Sequence, residues 1–198
     1  MIGLMIFSSC QDRTTRSAQK RGDVLKSHLD SFDKNRVKLS TNLVESLEEA
    51  GEALLEDSPD IPQVSKDFEK EWRSIMKRYD KLKGDFQNIG KSSTAYFEEL
   101  HLISSAINNE DLRKSELAAN KDLEVKWKAT YDEADKAIKK VTTVLEDGND
   151  FHMVLVASSI RQKLEQNVKD LKNMSAQAKL LLADLEVFTD EGRKLVEG

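Results

Sequence analysis

Glu98 and His101 stand three residues apart, a spacing that places two metal ligands on one face of a helix, as in di-iron carboxylate bundles. A working di-metal centre needs a second such pair and two further carboxylates. The other two histidines do not supply it: three positions before His28 stands Leu25, and three before His152 stands Asn149. His101 therefore reads as a solvated or helix-end histidine. There is no Gly-rich phosphate loop, no Gly-x-Ser-x-Gly elbow and no Cys-His dyad suited to nucleophilic catalysis. The many carboxylates are instead spaced as solvated helix faces paired with Lys and Arg. These residues point away from an enzyme, and none is assigned to catalysis, to a cofactor or to a metal.

Cys10 is the only cysteine, so no internal disulfide can staple the fold. It follows Ser8 and Ser9 at the end of an apolar stretch, residues 1–7. An apolar run, two small residues and then a cysteine looks like the end of a bacterial lipoprotein signal, where cleavage frees the cysteine to carry lipid. Residues 1–9 thus read as a signal-like segment, short and without a leading Lys or Arg. Cys10 is the expected lipid-attachment residue, and a membrane is the expected partner through that anchor. Three acyl chains would exceed the two-signal threshold for stable anchoring. Gln11, rather than Asp, favours the outer membrane facing the periplasm, by resemblance to enterobacterial sorting rules. The inner membrane is the alternative address, or the cytoplasm if the segment is not cleaved. Residues 10–21 read as a polar tether in which Arg13, Arg16, Lys20 and Arg21 outnumber the acids. They suit either anionic headgroups or plain solvent.

The elements behind these residues follow from composition and period. Of 198 residues, 34% are charged and 6% aromatic, with 8 Gly and 2 Pro, too few turn residues for a sandwich or barrel. The net charge of −5, with both signs interleaved, disfavours nucleic acid as a partner. No apolar run approaches the roughly 18 residues of a membrane-spanning helix.

From about Gly22, Leu25, Leu29, Phe32, Leu39, Leu43, Ala50 and Leu54 recur in steps of three and four, with Arg36 and Ser46 filling two polar gaps. This helix should stop in residues 57–62, where Pro59 and Pro62 restrict the backbone. A second stripe runs through Phe68, Trp72, Ile75, Tyr79, Leu82, Phe86, Ile89, Ser93, Tyr96, Leu100, Ile103 and Ile107, a 3.5-residue period that implies coiled-coil-like packing. Asn108 or Asn109 caps the next helix. Its stripe is Trp127, Tyr131, Ala134, Ile138, Val141 and Leu145, followed by Asp147, Gly148 and Asn149 as a stop signal. A last stripe passes from Phe151 through Leu164, Val168, Leu171, Met174, Ala178, Leu181, Leu185 and Phe188 to Leu195.

The reading is all-α: residues 22–198 form a single domain, a long antiparallel bundle of four helices running up-down-up-down. The alternative position of the break after the third stripe is residues 157–159; if the break is absent, the alternative is three helices with one very long C-terminal helix, whose exposed half would require a homodimer. In a hairpin about Asn109, positions summing to roughly 219 lie level. Gly90, Ser92 and Ser93 are therefore expected to make room for Trp127.

Residues 96–100, 109–115, 127–131 and 140–145, together with Asp150, are similar to an uncharacterised family of bacterial secreted or lipid-anchored helical proteins. The family pairs a leader ending in a cysteine with a long coiled-coil-like body. The resemblance covers residues 60–195, and this chain departs from it at Gly148 and over residues 151–155. It implies location and fold class, with no catalytic residue to carry over. The expected role is a non-enzymatic, periplasmic lipid-anchored helical protein that acts on a protein partner or within the envelope structure. Two alternatives stand beside it: a periplasmic holdase-type chaperone using residues 151–157, and a bundle that binds a metal or small ligand.

Overall fold

A computed structural model describes residues 8–158 and 164–197, with side chains from 16 to 157 and from 166 to 197. Four helices are present: α1 (Ser8–Ala53), α2 (Ile61–Ser105), α3 (Glu110–Ser158) and α4 (Leu164–Glu197). They pack as a bundle with α1·α2, α2·α3, α3·α4 and α1·α4 contacts. Residues 1–7, the apolar part of the signal-like segment, lie outside the described residues.

Local chemistry sets the helix limits. α1 ends just before the Pro59 and Pro62 segment. Asp60 then caps α2, its Oδ1 accepting the Gln63 amide at 3.1 Å. Asn109 caps α3 in the same way, accepting the Leu112 amide at 3.0 Å, while the Arg113 guanidinium donates to the Ile107 carbonyl at the end of α2. Helix α1 starts at Ser8, ahead of Gly22 where the apolar period sets in. No Gly or Pro interrupts residues 10–21. They continue as helix without a buried residue among those whose side chains are described, and the first buried residue is Leu25.

Of the two positions for the break, Gly148 is not where it occurs: α3 continues to Ser158, within the alternative 157–159, and α4 begins at Leu164. Gly148 is buried inside α3 because a side chain at that position would fall within the indole ring of Trp72. It serves close approach of two helices rather than a turn. The stripes also drift. After Ser93, Phe97 rather than Tyr96 is buried, and Leu182 rather than Leu181. A 3.6-residue helix slips about 20° per heptad against a strict seven-residue repeat.

The chain forms two compact units, and every helix contributes to both. The first comprises the described residues of Met1–Phe32, Asp85–Asp132 and Phe188–Gly198. Its core is aromatic. Phe86 stacks on Tyr131 at 4.3 Å, Phe32 meets Phe188 edge-on at 5.5 Å, and Trp127 stacks on Phe188 at 5.4 Å. Gly90 does face a large side chain, but it is Tyr131, whose hydroxyl would stand 2.6 Å from a Cβ there. Trp127 meets Gly192 of α4, where a Cβ would lie 2.5 Å from Leu29 and 3.1 Å from the indole. The hydroxyls of Ser92 and Ser93 turn back onto carbonyls of their own helix. Lys26 with Glu197 (2.5 Å) and Asp30 with Arg193 (3.1 Å) bridge α1 and α4 at the surface and are consistent with their antiparallel register.

The second unit comprises Asp33–Gly84 and the described residues of Glu133–Val187. Phe68 stacks on Trp72 at 5.0 Å with Phe151 edge-on, and the Trp72 indole donates to the Leu145 carbonyl at 3.2 Å. Tyr79 donates to the Ile138 carbonyl at 2.9 Å and shares a hydrogen bond with Thr142 Oγ1. Arg36, one of the two polar gaps of the first stripe, is buried. Its guanidinium donates to the Leu182 carbonyl (3.1 Å) and pairs with Asp33 (2.8 Å) and Glu186 (3.3 Å). The other gap, Ser46, is also buried.

Candidate functional site

The residues that the sequence singles out lie apart. Cys10 falls near the start of α1, and its side chain lies outside the described residues. Glu98 and His101 are exposed on α2, and no group of three His, Cys, Asp or Glu able to hold a metal ion exists among the described residues. His152 is half-buried beside Trp72 and Asn149. Within residues 151–157 two faces separate: Phe151 and Leu155 enter the core, whereas Met153 (64% exposed), Val154 (45%) and Val156 (48%) face outward.

Open grooves between adjacent helices are the other accessible features. In the first unit a groove of about 350 Å³ lies between α2 and α3, walled by Phe97, Trp127 and Tyr131 above Gly90 and Ser93. In the second unit, Leu47, Gly51, Leu55, Leu171 and Ala176 line a groove of about 320 Å³ between α1 and α4, with Lys179 paired to Glu48 at its edge. A third groove, of about 330 Å³, lies between α1 and α2 of the same unit. Glu49, Glu56, Asp60, Asp67 and Glu71 rim it, no Lys or Arg lines it, and Ser46 and Phe68 are among the residues beneath.

Electrostatics elsewhere are ordinary for packed helices. Burial pushes the phenols of Tyr79 and Tyr96 above the usual tyrosine range, since a phenolate would be stranded away from water. For Lys26 and Glu197 the shared hydrogen bond and their mutual attraction move the ammonium up and the carboxyl down, on a fully exposed pair. Lys and acid pairs at i,i+3 and i,i+4 run along the exposed face of α3, including Lys121 with Glu124, Lys128 with Asp132 and Lys136 with Glu133.

Sequence reasoning missed the acidic groove, although its ingredients were visible as a serine inside an apolar stripe and as acids flanking the Pro59 turn. Their convergence depends on the pairing register of α1 with α2. Fold and surfaces together define an antiparallel four-helix bundle whose accessible features are grooves between neighbouring helices. No protein family model, curated protein or solved structure matches the chain.

Proposed function

We propose that the protein is a non-enzymatic helical interaction protein of the bacterial envelope, held to the outer membrane through lipid on Cys10 and facing the periplasm. The observation that carries the interaction role is the outward turn of Met153 and Val154, apolar side chains exposed close together near the end of α3, a helix that also exposes Leu112 and Val125 among its ion pairs. Exposed apolar surface on a helix supports contact with another molecule. The cores of both units are filled by aromatic and aliphatic side chains, which favours surface recognition over enclosed chemistry. The resemblance to lipid-anchored long-helix proteins and the order Ser8, Ser9, Cys10 support the address.

The helical conformation of residues 10–24 adds a physical detail. Leu25 lies fifteen residue steps along the helix from Cys10, about 22 Å at 1.5 Å per residue. A lipid at Cys10 would join the packed core through this helix, which lies against Tyr96 of α2 from Gly22 onward. Labelled palmitate fed to cells should enter the protein and be lost in Cys10→Ser; an unlabelled wild-type protein removes the anchor and the address together. A photo-crosslinking residue at position 153 should capture a discrete partner in living cells.

The same apolar turn favours a second reading, a holdase-type chaperone. Its mark would be suppression of aggregation of an unfolded client, abolished in Met153→Ser/Val154→Ser/Val156→Ser. A protein equally inactive with and without those changes is no holdase.

A further inference from the structure

Within the second unit, α4 carries two apolar stripes. One, through Leu171, Met174, Ala178, Leu182 and Leu185, is buried. The other lies on the opposite side of the helix: Ala176, Leu180, Ala183 and Val187 follow steps of four, three and four, and all four are exposed. Leu180, at 70%, is the most exposed large apolar side chain among the described residues, and Val187 stands at 62%. A single exposed leucine is ordinary. Half-heptad spacing sets these four in one line, the form in which one helix meets another.

That line is complementary to itself. Turned about a two-fold axis between Leu180 and Ala183, α4 meets a second α4 running the other way, and positions summing to about 363 stand level. Leu180 then packs on the partner's Ala183, and Val187 on the partner's Ala176, so each large side chain faces a small one. Charge follows the same plan. Lys179 and Glu186, seven residues apart on one edge of the line, come together across the axis, and Gln177 meets Asp184 on the other edge. Lys179 already pairs with Glu48 and Glu186 with Arg36, yet both side chains stay more than half exposed and open to a further partner. A parallel pairing loses the fit: Leu180 would meet Leu180, Ala176 would meet Ala176, and Glu186 would face Glu191.

We infer that the outer face of α4 binds the same face of a second copy of this chain, antiparallel, with Leu180 and Val187 seated on the partner's alanines and Lys179 paired with the partner's Glu186. From Ala176 to Val187 the line is about 16 Å long, at the small end for a specific interface, so the dimer forms at micromolar rather than nanomolar concentration. The inference does not depend on the Cys10 anchor or on the apolar turn of α3.

Sedimentation equilibrium of the full chain carrying Cys10→Ser, from low micromolar to near-millimolar concentration, should show a monomer–dimer equilibrium. Leu180→Glu should raise its dissociation constant at least about tenfold. Leu112→Glu, the same change at an exposed leucine outside this face, should move it less than about twofold. Circular dichroism of each variant verifies its fold. Disulfide trapping in the same background reads the direction of pairing. Chains with Ala176→Cys mixed with chains with Val187→Cys should crosslink at least about tenfold faster than Ala176→Cys chains with themselves, whose sites would lie about 16 Å apart, beyond the reach of a disulfide. A chain monomeric at the highest concentration, a dimer indifferent to Leu180→Glu, equal weakening by Leu112→Glu, or faster self-crosslinking of Ala176→Cys would each overturn the inference.

Discussion

Replacing Gly148 by alanine would ordinarily stabilise a helix interior by about 1 kcal/mol, because glycine is the poorer helix former. Here the sign should reverse. The added methyl would occupy the volume of the Trp72 indole, so the ring must leave its position. It cannot leave freely: its N–H is bonded to the Leu145 carbonyl at 3.2 Å, and its face stacks on Phe68 at 5.0 Å. Overpacking of this kind costs about 1–3 kcal/mol, the lost hydrogen bond about 1, and the lost stacking about 0.5–1.5. After the helix-propensity gain, the net is a loss of about 1.5–4.5 kcal/mol, or a fall in Tm of roughly 3–18 °C for a chain of this size. Gly84 provides the internal comparison, since nothing lies within 4 Å of a Cβ there. Gly84→Ala should raise stability by up to about 1 kcal/mol. Urea melts followed by far-ultraviolet circular dichroism measure both. A Gly148→Ala protein as stable as wild type, or a Gly84→Ala change of the same sign and size, would refute the assignment of Gly148 to the Trp72 contact.

Arg36→Ala should cost about 3 kcal/mol in a urea melt, because it removes a buried guanidinium together with its bonds to Asp33 and to the Leu182 carbonyl; Arg36→Met, which keeps the volume, should cost clearly less. Tyr79 and Tyr96 should ionise later than an exposed phenol in a 295 nm titration. Because Tyr79 holds its proton more tightly folded than unfolded, its effect on stability is flat below the ordinary tyrosine pKa of about 10 and turns unfavourable as pH rises through the folded value. Tyr79→Phe should lose about 1 kcal/mol at neutral pH and show a shallower alkaline decline.

The helices were legible in the sequence because burial repeats at every turn: Leu25, Leu29, Phe32, Leu39 and Leu43 all enter the core in the expected steps. The α2·α3 register was legible too, since the Trp72 to Leu145 and Tyr79 to Ile138 bonds both obey the hairpin arithmetic about Asn109. What misled was glycine, whose missing side chain signals either a turn or a close approach. Only the facing residue distinguishes the two, and for Gly148 that residue, Trp72, is distant in sequence. The same held for Trp127, which meets Gly192, beside Leu29, on a helix outside the hairpin. Arg36 and Ser46 were visible as gaps in a stripe. That one gap is filled by a bonded guanidinium and the other by an orphaned hydroxyl depends on the register of α1 against α4 and α2.

The placement of the two tryptophans has a practical outcome. Trp127 belongs to the first compact unit, among Tyr131 and Phe188, and Trp72 to the second, on Phe68. Each unit thus carries its own optical label. With one indole exchanged for phenylalanine, the emission of the survivor reports on a single unit, and comparing the two signals during a melt reveals whether the units lose their structure in concert or in sequence.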